Sequence, residues 1–289
     1  CSSDLGENAD GAGVFAGAGL TVTGSTIRGN IASGENSEGG GIRSRGDLLE
    51  VTGSAVLDNA AADQGGGLYA HDGASIADSV FSGNHSGLGG GGLFALSGIT
   101  IRNTEITGNR MDGNGLGAAG VTLASGGTIL DSTISGNVAG TAGTGGIDGS
   151  FDRLVILRST VSDNTGAGSF ESGGIVGGRI LIADSTVSDN RVEADGARGG
   201  GISALFVTAV NTTIAGNAAE GEGARGGGVF AVAGADLVQS TLAGNRASGT
   251  DAQGGGLFDA GGDRPVTLAN TLSLGNAAEG AGAAAPELA

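Results

Sequence analysis

Apolar and polar residues alternate in short bursts along this chain, and the bursts return at a nearly fixed interval. Leu20, Val22 and Ile27 precede Asn30; Ile99, Ile101 and Ile106 precede Asn109; Ile180, Ile182 and Val187 precede Asn190. In each case the apolar positions lie ten, eight and three residues before the asparagine. Alternation with a period of two in β-branched residues predicts short strands with one buried face. Helix is disfavoured throughout, because each glycine inside a helix costs about 1 kcal/mol relative to alanine and glycine is dense here.

The interval itself decides the architecture. Segments from STIRGN (25–30) to TLSLGN (271–276) end on Asn30, Asn59, Asn84, Asn109, Asn137, Asn164, Asn190, Asn217, Asn245 and Asn276, spaced 25 to 31 residues apart with a mean of about 27. Five residues before each asparagine stands Ser or Thr. A second motif, a glycine-rich run and then a branched aliphatic, marks each unit: GGGI at 39–42, GGGL at 65–68, GGGI at 199–202, GGGV at 226–229. The segment after the asparagine varies most, which maps insertions to one loop per repeat.

A strand of three to five residues cannot bury its inner face alone, so identical units stack, each strand bonded to its equivalent above and below. The prediction is an all-β fold over residues 1–289 as one domain: a parallel β-solenoid of about ten coils of roughly 27 residues. At about 4.8 Å per coil the rod is about 50 Å long. The asparagines then form a ladder, since an amide has two donors and two acceptor lone pairs for the copies on either side. The Ser/Thr hydroxyls bond to backbone beside a corner. The glycines serve bends with positive φ or close approach between layers.

Composition changes this picture little. The 64 glycines among 289 residues, with Leu, Ile, Val and Phe little above a fifth, could signify disorder, but their clustering within the repeat reports coil number instead. Collagen is excluded because the glycines do not recur every third residue and only 2 prolines are present. No apolar run reaches the roughly 18 residues of a membrane span. A single cysteine, Cys1, excludes an intrachain disulfide framework. All 13 basic residues are arginine, against 30 acidic residues and a net charge of −17. That balance disfavours nucleic acid and anionic membranes as partners.

GGG[ILV] together with [IVL]-x-x-N at this period resembles the right-handed parallel β-helix repeats of bacterial surface and secreted proteins, including the GGA[ILV] and FxxN repeats of chlamydial polymorphic membrane proteins. The Phe of FxxN stands here only as Phe81, and Ser273 departs from the aliphatic type. The resemblance implies a right-handed β-helix in an extracellular or cell-surface setting, often adhesive or wall-associated. Ser3, Leu5 and Asn8 repeat the columns part-way through a coil, and GAGA at 280–283 begins another. We therefore expect a segment of a longer protein, without its caps, and do not expect Cys1 to be a lipidated N-terminus.

Three columns carry candidate function. The residue after each GGG aliphatic is expected to point outward, and Phe15, Tyr69, Phe94, Phe230 and Phe258 share that column, a row able to stack on sugar rings or to cover the glycine corner of the adjacent coil. Asp163 and Asp189 fall one rung apart, with Arg158, Asp184 and Arg191 nearby in sequence; stacked carboxylates suit a calcium site or glycoside hydrolysis, or simply a solvated turn. Calcium is the single cofactor this pattern admits. Thr26, Thr133, Thr160, Thr186, Thr213 and Thr241 form a broken row of the kind that could meet ice or a mineral.

Enzyme signatures fail one by one. Polygalacturonase-type NTD, DD, GHG and RIK motifs are absent, His71 and His85 occupy unlike repeat positions, and no GxSxG elbow or GK[ST] loop occurs. The reading is a non-enzymatic structural or adhesive rod of a bacterial cell-surface or secreted protein. Its expected partners are other protein chains or cell-surface glycans, with end-to-end or lateral self-association through open sheet edges. The alternative is a carbohydrate-binding or polysaccharide-degrading β-helix, lyase- or hydrolase-like, working on an outer sheet face.

Overall fold

The computed structural model describes residues 11–283 apart from 47, 114, 116, 150, 151, 170 and 263. Cys1 and the partial repeat at Ser3, Leu5 and Asn8 lie outside the described residues. Strands in the described residues gather into three parallel sheets, one of 18 strands and two of ten. A typical coil gives Ile42–Ser44 and Leu49–Thr52 to the long sheet, Ala55–Leu57 to the second and Ala60–Ala61 to the third. Each strand pairs with its equivalent one repeat away, so the chain is a parallel β-solenoid of about ten coils.

Register follows the hydrophobic pattern. In the second sheet Ile27, Val56, Phe81, Ile106, Ile134, Val161, Val187, Ile214 and Leu242 stack in register, all buried. With the inward rows of the long sheet they make one continuous core cluster. Burial of each such side chain stabilises by about 1.5–3 kcal/mol, and a one-residue slip would turn the whole row to solvent.

The asparagines form the expected ladder. Asn84 Nδ2 donates to Asn109 Oδ1 at 3.0 Å and to the Val56 carbonyl at 2.9 Å. Its Oδ1 accepts the backbone N–H and the side-chain amide of Asn59, both at 3.0 Å. All four capacities of the amide are used. At Asn276 the hydroxyl of Ser273 accepts from Nδ2 at 3.1 Å, which gives the one polar residue in the inward row a purpose. The hydroxyl column behaves likewise: Ser54 Oγ donates to the Thr52 carbonyl at 2.9 Å and accepts the Ser25 N–H at 3.1 Å.

The three glycines of each run have different tasks. Gly65 holds φ +67°, a left-handed corner. Gly66 has no such angle, but a Cβ there would lie 2.2 Å from the His85 carbonyl oxygen and 2.6 Å from that of Gly91. The first glycine therefore serves the bend and the second the stacking distance.

Two coils differ. Elsewhere a corner separates the two long-sheet strands of a coil, but Ile175–Ala183 and Ile202–Val210 each run straight through for nine residues. These two coils supply most of the lining of the groove described below.

Candidate functional site

The row expected to present Phe15, Tyr69, Phe94, Phe230 and Phe258 does not form an exposed face. Tyr69, Phe94 and Phe230 are only 4%, 5% and 2% exposed and Phe258 is partly buried, while Phe15 at 49% is open. The side chains do leave the solenoid interior, but the glycine run before each aliphatic folds back against them: a Cβ at Gly90 would lie 2.7 Å from Phe94 Cβ. Tyr69 stacks on Phe94 at 5.3 Å and Phe230 on Phe258 at 5.6 Å. Arg43 lies over Tyr69, Arg198 over Phe230 and Arg225 over Phe258, at 4.9 to 5.4 Å. Cations on ring faces seal a side stack outside the core.

That stack is charged inside. Arg43 and Glu38 pair at 2.5 Å, both largely buried, and the Tyr69 hydroxyl bonds to Glu38. Burial, reinforced by the neighbouring Glu38 carboxylate, pushes the Tyr69 phenol up to about 12, and burial lowers Arg43 to about 10.

Asp163 and Asp189 do occupy adjacent rungs, flanking the paired Ser162 and Ser188. Both are exposed at left-handed turns, φ 57° and 56°, the position that Gly83 and Gly108 fill in other coils. Asp and Asn tolerate that angle better than other side chains, which accounts for aspartate here. Two carboxylates supply few of the six to eight oxygens calcium takes, and no group of three or more acidic, His or Cys side chains converges among the described residues. Arg158 and Asp184 belong to a different ladder, six residues before the asparagine and again at positive φ. There Asn103 donates to Asp78 and Asn211 to Asp184, each at 2.7 Å, and Arg158 holds Asp131 with two bonds at 2.7 and 2.9 Å. Arg191 sits on the third sheet in the chain Arg191, Glu220, Arg246, Glu279. His85 bonds to Asp112 at 2.8 Å and His71 lies 3.4 Å from Asp72, in separate places.

A groove that the sequence reading overlooked lies on the outer face of the long sheet. Arg153, Arg179, Ile180, Leu181, Phe206, Thr208 and Arg264 enclose about 320 Å³. Arg153, Arg179 and Phe206 are in-register neighbours on three successive coils. The guanidinium of Arg264 lies 4.0 Å from the Phe206 ring centre, with Asp236 3.8 Å from its Nη2. Gly234 lets it get there: at φ +108° it has no Cβ, and one would lie 2.6 Å from the Arg264 carbonyl oxygen. The signal was present in the repeat. Eleven residues before the asparagine, Gly19, Gly73, Gly98, Gly126 and Gly234 hold the column, and Arg153, Arg179 and Phe206 interrupt it in three coils running.

Fold and groove together define a parallel β-solenoid rod whose outer face carries a local cationic, aromatic recess on an acidic molecule. The family model for the right handed beta helix region matches residues 40–219, more than half of the chain, and the chain belongs to that family. The solenoid is thus right-handed. No curated protein matches the chain. Among solved structures, the crystal structure of pectate lyase Pel9A is similar at 12% identity and a TM-score of 0.40, over 93% of this chain and 66% of that one. The chain thus spans just under two thirds of that protein's length, and a likeness at this level carries no activity across.

Proposed function

We propose that this chain is a non-enzymatic, carbohydrate-binding β-helix rod of a bacterial cell-surface or secreted protein, holding a saccharide in the groove on the outer face of its long sheet. The observation that carries the reading is the recess lined by Arg153, Arg179, Leu181, Phe206 and Arg264. It has an aromatic ring and an aliphatic side chain for the C–H face of a sugar and guanidinium donors for its oxygens. A stiff rod positions such a recess at a fixed distance from whatever holds its ends. A glycan array tests the reading: wild type retains a subset of glycans, and Phe206→Ala loses them with unchanged circular dichroism. Glycan binding indifferent to Phe206→Ala, or none across the array, overturns it.

A further inference from the structure

Where the third sheet hands over to the glycine run, the repeat encloses a second, smaller core. Val192, Ala197, Ala219 and Ala224 fill it, each fully buried. They stand two residues after an asparagine or five before the aliphatic of a glycine run. On three successive coils toward the other end, the same offsets carry Ser37, Asp63 and Ser86. Ser37 and Ser86 are 0% exposed. Ser37 Oγ, Asp63 Oδ1 and Ser86 Oγ are buried, and none has a hydrogen-bond partner among the described residues. The three residues are neighbours. The N–H of Asp63 donates to the Ser37 carbonyl at 3.1 Å, and Ala61, two residues before Asp63, pairs in register with Ser86. A buried oxygen without a partner costs stability, and a hydroxyl, a carboxylate and a second hydroxyl in place of alanine and valine need a common reason.

We infer that Ser37 Oγ, Asp63 Oδ1 and Ser86 Oγ line a site for one alkali-metal cation, sodium or potassium, inside the rod. All three donors are oxygens, the ligands of hard cations, with no nitrogen or sulfur to select a transition metal. Internal water would satisfy the hydroxyls but brings no charge to the carboxylate. Burial raises the Asp63 carboxyl, and no neighbouring cation counters it. The nearby Glu38 is already answered by Arg43, so one negative charge is left over and a monovalent ion matches it. Calcium would need more carboxylates than this corner supplies. Asp63 is only half-buried, which gives an ion a way in and lets water complete its shell. The site shares no residue with the groove and stands independently of the carbohydrate reading.

The test is thermal unfolding of the whole chain at a constant ionic strength of about 0.15 M, close to the physiological value. Choline chloride is replaced stepwise by sodium chloride, potassium chloride or, in a separate series, calcium chloride. Sodium or potassium should raise the midpoint above its value in choline. For a dissociation constant of about 10 mM, full replacement moves the equilibrium about 16-fold toward the folded state. Ser37→Ala and Ser86→Ala place the residue that other coils carry, so both should fold, and each should reduce the response. Asp63→Asn should abolish it while melting no lower than wild type in choline. Midpoints equal in choline, sodium and potassium overturn the site and leave a protonated Asp63 with internal water on the hydroxyls. A response that survives Asp63→Asn, or that both serine variants keep in full, overturns it as well. Calcium acting at a concentration about a hundredfold below that of sodium overturns the monovalent charge match.

Discussion

The side-chain amide of Asn137 donates to Oδ1 of Asn164 at 2.9 Å, while its own Oδ1 receives the amide of Asn109 at 3.0 Å. A second donor hydrogen goes to the Ile106 carbonyl and a second lone pair to the Asn109 N–H. An interior rung is therefore satisfied wholly within the stack, by the asparagines on either side and one main-chain carbonyl.

Asn137→Leu should cost at least about 3 kcal/mol. It orphans the buried N–H of Asn109, one of that residue's amide hydrogens and the Ile106 carbonyl, and each unmet buried group costs roughly 1–3 kcal/mol. Asn30→Leu should cost less, because Asn30 is only partly buried. The measurement is the urea midpoint of each variant at constant slope. Equal losses at the two sites would show that the ladder's interior closure is not what stabilises it.

Gly66→Ala probes the stacking distance without touching the corner. The added methyl would meet the carbonyl oxygens of His85 and Gly91, both main-chain atoms with nowhere to move. Overpacking of this kind costs typically 1–3 kcal/mol, and here the loss should sit at or above the top of that range. Gly98→Ala is the control: like Gly66 it has no left-handed φ, but nothing lies within 4 Å of its Cβ position. Thermal unfolding compares the two, and a Gly66 variant as stable as the Gly98 variant would mean that coil spacing tolerates a methyl group.

Repeat residues were the legible part of this protein. The asparagine ladder, the Ser/Thr column and the inward aliphatics were readable because each recurs at a fixed offset, and a column repeated ten times is its own alignment. The groove was hard to see for the same reason in reverse. Arg153, Arg179 and Phe206 break a column instead of making one, and Arg264 arrives from a loop whose path over Gly234 no periodicity encodes. The aromatic row was found at the right offset, but its burial was not legible. Alternation tells which side of a strand a residue takes; it does not tell that the glycine-run segment folds over that side and covers Tyr69 and Phe230.

The covered row yields a prediction of its own. Arg43 and Glu38 have side chains 7% and 18% exposed, so neither charge can be left to water. Arg43→Met should destabilise by about 3–5 kcal/mol, the usual cost of stranding one member of a buried pair. The double variant Arg43→Met, Glu38→Gln should recover most of that loss, because it removes the stranded carboxylate as well. Chemical denaturation at pH 7 reads both, and a double variant no better than the single would show that Arg43 acts by packing on Tyr69 instead.

Glu171 should make the stability of the rod depend on pH in an unusual direction. Burial lifts its carboxyl to about 6, aided by the Asp148 carboxylate and opposed by the hydrogen bond that Thr144 Oγ1 donates at 3.0 Å. Because the folded value lies above the ordinary 4.5, the folded protein still holds a proton that the unfolded chain has released. Stability from this group is therefore complete below pH 4.5, falls as pH rises toward 6, and stays lost above it, a change on the order of 2 kcal/mol. Glu171→Gln keeps an acceptor for Thr144 and removes the titration. The variant should match wild type near pH 4 and exceed it at pH 7.5, with the difference opening between pH 4.5 and 6. Other carboxylates raised by burial, Glu38 and Asp63, titrate in both proteins and cancel in the comparison. Midpoints of denaturation taken from pH 4 to 8 decide it: a Gln variant less stable than wild type at pH 7.5 would mean that the ionised carboxylate is held by the fold and not merely tolerated.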